Sequence, residues 1–416
     1  MVPGQTVAAN VVNVHGQVIL PAETVVGPRH RTLLKAWGIV EILVRDDDAG
    51  PPETARPASG APPTSATPSP PTSAGPPPNN PPGLPFAIDE NTHPLLVELA
   101  AVVERLRPKG APDCEPISAA PAAAASGAKG RRPEWIPVTP ETVAGRARTL
   151  VSLPTIYFQV ERAINHPTSS SADIANALRS DQGLCARLLR IANSAFYSFP
   201  QRVESVDQAI RIIGTRQLHD LVLATVVLTQ FRGVDARLVN MKSFWQHSFA
   251  CGIAARSFAA LRHESNSERF FVAGLLHDIG SLVLYQEFPD RARAALEEHR
   301  SSRSPLDEVE RSIIGCDHGQ VGAALMTSWK LPEFYREVAA NHHGLGGRSP
   351  TVGASIVHLA DLLVAALALG SNGEATLPRF CPEAWKVLDL PPSCLGRVAE
   401  EALGLVEETL RLFSGD

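Results

Sequence analysis

Residues 273–285 read AGLLHDIGSLVLY. Two ionisable residues, His277 and Asp278, stand in a run that is otherwise small or apolar. A carboxylate buried there is costly unless it is paired, so this dipeptide needs a metal ion or a set of polar partners. Further histidines and a carboxylate flank it in order. His247 lies in FWQHSFACGIAAR, His318 in GCDHGQVGAALMTSWKLP, His342 and His343 in ANHHGLGG, and Asp361 in IVHLADLLV. Imidazole and carboxylate donors suit Fe, Mn, Zn or Ni, and the absence of cysteine from this set disfavours a structural zinc knot. The residues alone leave two readings open, one or two divalent ions or a self-satisfied polar cluster.

Two other His–Asp features serve as contrasts. His219-Asp220, in RQLHDLVLA, lacks the glycines of the first stretch and reads as a solvated helix face. His358, three residues before Asp361, reads as the surface side of its helix.

Around these motifs, residues 136–416 show helical periodicity throughout, with short Gly- or Pro-containing turns, the pattern of a helical bundle. Val206–Ile213, Leu218–Phe231, Phe244–Leu261, Phe270–Tyr285, Pro305–Ile314, His318–Trp329, Pro332–Asn341, Val352–Leu369 and Arg397–Phe413 each read as one helix. Ser171 and Asp173 offer N-cap chemistry ahead of Ile174. Leu188, Ile191, Ala192 and Phe196 recur at helical spacing and should be core, with Asn193 bonding backbone at that helix end.

The first part of the chain differs. Residues 1–46 carry β-branched runs at Val11, Val12 and Val14 and at Val18 to Leu20, a short helix over 29–37, and a third strand over 39–44. They read as a small β-rich module. Residues 47–135 read as a linker: 14 of the 36 prolines fall between Pro51 and Pro85, too little apolar surface to offset the entropy of ordering. Within it, Leu95, Leu99, Val102, Val103 and Leu106 mark an amphipathic helix near 94–106, whose plain role is packing on a neighbour.

Composition bounds the function. A formal charge of −5 and scattered arginines (Arg187, Arg190, Arg202, Arg211, Arg216) without aromatic partners disfavour a nucleic-acid surface. Six cysteines spread without a C-x-x-C pair fit reduced thiols. No signal-like N-terminus or span of about 20 apolar residues is seen, so a soluble, cytoplasmic protein with no membrane partner is expected.

Residues 188–227, LLRIANSAFYSFPQRVESVDQAIRIIGTRQLHDLVLATVV, resemble the signature of the HDOD family, the HD-related output domains of bacterial signalling proteins. Leu153-Pro154, Ser180-Asp181 and the later AGLLHDIG, DHGQVGAALMTSWKLP and HH elements follow in that family's order, so the resemblance covers about 143–345. Gln182 departs from it, since relatives tend to carry proline there. The resemblance implies a mainly α, HD-like helical bundle preceded by the β-rich module and Pro-rich linker. It implies a signal-transduction output or regulatory module whose partners are other signalling proteins. It places the HD metal ligands at His247, His277, Asp278, His318, His342 and Asp361, with His343 as a further candidate. The alternative is a metal-dependent phosphohydrolase acting on nucleotides or cyclic dinucleotides, a nucleotide second messenger then being the ligand and Asp278 the catalytic group. Two departures argue against turnover. Ser281 stands where related phosphodiesterases carry lysine, and Gly344-Leu345-Gly346-Gly347 replaces their glutamate and G-Y-P stretch.

Overall fold

The computed structural model describes residues 11–12, 18–20, 92–111, 135–147, 152–197, 199, 201–231, 234–344 and 349–414. It divides into two units, Met1–Ala74 and Gly75–Asp416. In the first, β1 (Val11–Val12) pairs antiparallel with β2 (Val18–Leu20), Val11 opposite Leu20 and Val12 opposite Val18. The helix over 29–37, the strand over 39–44 and the proline-rich stretch over 47–85 lie outside the described residues.

The second unit is helical wherever it is ordered into elements. In chain order its helices are α1 (Pro94–Leu106), α2 (Pro140–Ala147), α3 (Thr155–Asn165), α4 (Ser171–Arg179), α5 (Gln182–Ala192) and α6 (Val206–Ile213). There follow α7 (Thr215–Leu228), α8 (Met241–Leu261), α9 (Ser267–Leu276), α10 (Ile279–Glu287), α11 (Pro289–Ser302) and α12 (Leu306–Ile313). The last five are α13 (His318–Ser328), α14 (Glu333–Asn341), α15 (Val352–Ala366), α16 (Pro382–Leu388) and α17 (Cys394–Ser414).

Local chemistry sets many of these boundaries. α4 opens with a capping box in which the Ser170 side chain accepts from Asp173 N–H and Asp173 accepts from Ser170 N–H, so the cap is Ser170, not Ser171. α5 is capped by Asp181, whose Oδ1 accepts from Leu184 N–H at 2.9 Å. That cap explains why Gln182 can stand where relatives prefer proline, since the helix start is already fixed. Leu188, Ile191, Ala192 and Phe196 are buried. Asn193 closes the helix end: Nδ2 donates to Leu189 O and Val203 O, and Oδ1 accepts from Val203 N–H. α1 buries Leu95, Leu99, Val102 and Val103 and packs against α17.

The expected single helix over 270–285 is two helices. α9 ends at Leu276, His277 is its C-cap, and Asp278 (φ −97°, ψ 10°) is the N-cap of α10. Apolar periodicity cannot reveal such a break, because residues on both sides of it are buried in the same core. α11 was also not expected. Its mean hydropathy is low, and only Ala292, Ala295, Leu296, Glu298, His299 and Ser302 face inward.

Close helix contacts frame the break. α8 and α9 touch through Gly252 and Gly274, where a Cβ on Gly274 would stand 2.7 Å from Cys251 O. At the other side, a Cβ on Gly280 would strike His318 O and sit 2.6 Å from Gly322 N. Only glycine therefore lets the start of α10 rest on the start of α13, which draws Asp278 and His318 together.

Candidate metal centre

The centre is built from six helices. α8 supplies His247, the α9–α10 junction supplies His277 and Asp278, α13 supplies His318 at its first residue, the C-terminus of α14 supplies His342 and His343, and α15 supplies Asp361. His318 is placed by a second capping box: Asp317 Oδ1 accepts from Gln320 N–H at 2.8 Å, and Gln320 Oε1 accepts from Asp317 N–H.

The second ring nitrogen of three of these histidines is already engaged. His277 Nδ1 lies 2.6 Å from Gly274 O, His342 Nδ1 lies 2.8 Å from Ala339 O, and His318 Nδ1 lies 2.6 Å from Glu310 Oε2. An Nδ1–H donated outward fixes the tautomer and turns Nε2 inward, the arrangement found behind metal-ligating histidines.

Those Nε2 atoms surround Asp278 on two sides. Oδ2 is 3.0 Å from His277 Nε2 and 3.7 Å from His247 Nε2. Oδ1 is 3.4 Å from both His318 Nε2 and His342 Nε2. Asp361 Oδ1 is 3.2 Å from His247 Nε2 and 4.0 Å from His277 Nε2. His318 Nε2 and His343 Nε2 are 2.5 Å apart. The donors fall into two groups, His247, Cys251, His277 and Asp361 on one side and Asp278, His318, His342 and His343 on the other, with each group's ligand atoms within 4.8 Å of one another.

All six expected ligands are therefore brought together, and His343 joins them. Yet His277 Nε2, His342 Nε2, Asp278 Oδ1 and both oxygens of Asp361 are buried and make no hydrogen bond. Apart from the ion-pair contacts just given, these five atoms are unsatisfied, and a cation in the region they face would relieve them. The donor set, nitrogen and oxygen with one sulfur nearby, fits a divalent transition metal.

The ion-free charges are finely opposed. Burial works against charge on His318, yet Glu310 and Asp278 overcome it and hold its pKa well above the ordinary histidine value. His277 is likewise raised: burial is outweighed by Asp278. Burial would push Asp278 up, but the nearby rings of His277, His318 and His342 hold it well below the carboxylate range. His343 is driven well down by burial and by His342 and His318. Cys251 is held well above the usual thiol value by burial and by Asp361 and Asp278.

Three residues here escaped the sequence reading. Glu310 looked like an ordinary helix carboxylate but is buried behind His318, accepting from both its ring and its N–H. Asn372, in an irregular segment after α15, donates to Asp278 Oδ2 at 2.7 Å. Cys251, one helical turn beyond His247, has its Sγ 3.5 Å from His247 Nε2. The H-x-x-x-C spacing was the available signal for it.

Two contrasts are corrected. His358 is buried, not on the surface, and both ring nitrogens are used, Nδ1 at 2.8 Å from His342 O and Nε2 accepting from Cys381 N–H. Asp220 is buried too, accepting from Tyr335 O–H at 2.8 Å and from Asn266 Nδ2 at 3.0 Å. α7 is apolar nearly all round its central turns, so it has no solvated face there to offer.

A cavity of about 560 Å³ opens beside His343 and Gly344. Asp307, Glu308, Asp317, Glu374 and Glu383 line it with two cations, Arg311 and Arg379. Arg311 is bound to Asp307 and Asp317, and Arg379 to Glu308.

Histidines and aspartates thus converge from six helices of the second unit. Residues 150–345 match the HDOD domain family. The chain is similar, at 25% identity over 205 residues, to an uncharacterized protein of Treponema pallidum (strain Nichols). That match spans 49% of this chain and 39% of the relative. Among solved structures, the fold resembles a candidate signal transduction protein from Marinobacter aquaeolei VT8 (TM-score 0.53, 19% identity, 77% of this chain and 66% of that one). It also resembles a candidate phosphohydrolase from Shewanella amazonensis SB2B (TM-score 0.51, 22% identity, 65% of this chain and 97% of that one). No helix among the described residues is long and apolar enough to cross a membrane.

Proposed function

We propose that this protein is a signal-transduction output module whose HD-like centre holds one or two divalent metal ions in a structural or sensing role, with weak or absent hydrolysis. Its partners on this reading are other signalling proteins in the cytoplasm, and the N-terminal module relays or anchors. His247, His277, Asp278, His318, His342 and Asp361 hold the metal, with His343 as a seventh donor.

One observation carries the non-catalytic part: the segment after α15 is strapped over the centre. Ser371 N–H donates to Ser243 O at 3.1 Å, Asn372 O accepts from Tyr285 O–H at 2.9 Å, and Ala375 N–H donates to His299 Nε2 at 2.8 Å. The strap delivers Asn372 to Asp278 and leaves His277, Asp278, His318 and His342 essentially without solvent exposure. A phosphate ester would have to enter past His343, through a cavity whose cations are already neutralised by carboxylates. Ser281, in the position where related phosphodiesterases carry lysine, is itself buried and supplies no charge.

A divalent ion bound here would supply Lewis acidity toward a phosphoryl oxygen. The phosphohydrolase reading stays favoured by one feature: Asp278 presents one oxygen to each donor group, as a bridging carboxylate would. The chain's own residues set the limits on it. Glu310 and the backbone carbonyls fix the rings, Asn372 fixes Asp278, and the strap excludes water.

A panel of phosphomonoesters, nucleotides and cyclic dinucleotides assayed with Mn, Fe, Zn and Ni tests the proposal. We expect no turnover above the Asp278→Ala variant. Robust hydrolysis by the wild type, lost in that variant, overturns it in favour of the phosphohydrolase.

A further inference from the structure

The two donor groups differ in chemistry: Asp278, His318, His342 and His343 offer only nitrogen and oxygen, whereas the other group contains a thiol. We propose that Cys251 is a sulfur ligand in the His247–His277–Asp361 group, which therefore takes a thiophilic divalent ion such as Zn, Co or Fe in preference to Mg or Mn. The inference rests on the metal-binding reading above and specifies one half of that site.

Geometry supports it from three directions. His247 and Cys251 are four residues apart on α8, so both project from one face of the helix. Tetrahedral donors about 2.0–2.3 Å from one ion stand about 3.3–3.8 Å apart. Here His247 Nε2 is 3.5 Å from Cys251 Sγ and 3.2 Å from Asp361 Oδ1, and His277 Nε2 is 4.0 Å from Asp361 Oδ1. Finally, the Gly274 contact sets α9 directly on the backbone of Cys251, which is why His277 reaches the same point.

The bland alternative is a thiol hydrogen-bonded to His247. That bond would satisfy two atoms and leave His277 Nε2 and both oxygens of Asp361 buried without a hydrogen bond, His277 and Asp361 Oδ1 having only ion-pair contacts. An ion shared by all four residues relieves every one of them. On binding, the S–H bond breaks, the sulfur keeps the electron pair for the metal, and the proton leaves to solvent. A thiolate donor selects against hard, oxygen-seeking cations.

Cobalt(II) added to metal-free wild-type protein is the direct probe, because thiolate ligation gives a near-ultraviolet sulfur-to-cobalt charge-transfer band that nitrogen and oxygen donors do not. We expect that band in the wild type and in Cys381→Ser, whose thiol lies in the cavity wall, and its loss in Cys251→Ser and Cys251→Ala. Cobalt d–d absorption should persist in both Cys251 variants, from the sulfur-free group. Zinc affinity of the sulfur-containing group should fall by at least about tenfold, the scale on which even outer ligand partners matter. Should the variants fail to fold, X-ray absorption on cobalt-loaded wild type decides, with a sulfur shell at about 2.3 Å expected. Cobalt bound with no charge-transfer band and only nitrogen or oxygen scatterers overturns the assignment of Cys251 while leaving the metal centre standing. Absence of any bound cobalt overturns the metal-binding reading and this inference with it.

Discussion

The chain contains the dipeptide His-Asp twice, and the two copies meet opposite fates. His219-Asp220 lies inside α7, where a straight helix sends consecutive side chains in different directions. Asp220 is satisfied locally by Tyr335 and Asn266, and its pair with His219 is loose at 3.6 Å. His277-Asp278 spans a helix break, so both side chains turn toward one point, where other histidines face them. At the first copy the Asp220 carboxylate is satisfied between α7, α9 and α14, while His219 Nε2 and Asn266 Oδ1 stay buried without a hydrogen bond. At the second, five such atoms, three of them carboxylate oxygens, face one region. Dipeptide identity is thus a poor guide, and the flanking glycines that let α9 and α10 approach α8 and α13 are the better one.

That contrast can be strained at several points. The largest effect on the metal centre is expected at Gly280. In Gly280→Ala the new methyl meets backbone atoms of α13 on two sides and neither can yield as a side chain would. Overpacking of this kind costs about 1–3 kcal/mol, and the displaced α13 should take His318 out of the centre. Loss of bound metal together with a lowered denaturation midpoint is the expected result. A Gly280→Ala protein that binds metal normally would show that the close approach is not what assembles the site.

Leu188→Ala, in the buried face of α5 and outside both dipeptides, sharpens the comparison as a packing control. It should cost about 2–5 kcal/mol in urea unfolding and leave metal stoichiometry unchanged. A cost under about half a kcal/mol would mean that this face of α5 is not core.

Asp220→Ala should cost about 1–3 kcal/mol, because Tyr335 O–H and Asn266 lose a buried acceptor, again with metal content intact. If it instead removed metal, the two dipeptides would be coupled through α14 and the comparison would fail.

The smallest effect is a pH trend. In the ion-free protein His277 and His318 have raised pKa values. Their contribution to stability is full below the unfolded histidine value of about 6.5 and is lost as pH rises through the raised folded values. Asp278 and Asp361 are depressed, so their contribution is present above about pH 3.9 and is lost as pH falls through the folded values. Metal competes with the histidine protons, so the metal-induced rise in Tm should grow between about pH 6 and pH 8. A shift independent of pH would indicate binding away from these rings.

How much of this was legible in the sequence depends on which residues one asks about. Leu188, Ile191 and Phe196 were readable because apolar spacing on an amphipathic helix maps directly onto burial. His247, His277, Asp278, His318, His342 and Asp361 were readable as a set because their order survives in a recognisable family pattern. The α9–α10 break was not, since both halves bury the same kinds of residue. Glu310 was hidden on a helix, DEVERSI, whose carboxylates look solvated, and Asn372 was hidden in a segment with no periodicity. Asp220 was misread because a polar pair was taken to mark a surface. Its partners, Asn266 and Tyr335, are distant in sequence and only the fold brings them near.

The central claim is that the second dipeptide, and not the first, belongs to a metal centre. The most direct test is elemental analysis of wild type, Asp278→Ala and Asp220→Ala after identical metal loading and dialysis, with helicity checked by circular dichroism. The account predicts one to two equivalents of a transition metal in wild type and in Asp220→Ala, and none in a folded Asp278→Ala. Metal-free wild type, or folded Asp278→Ala with undiminished metal, would contradict it.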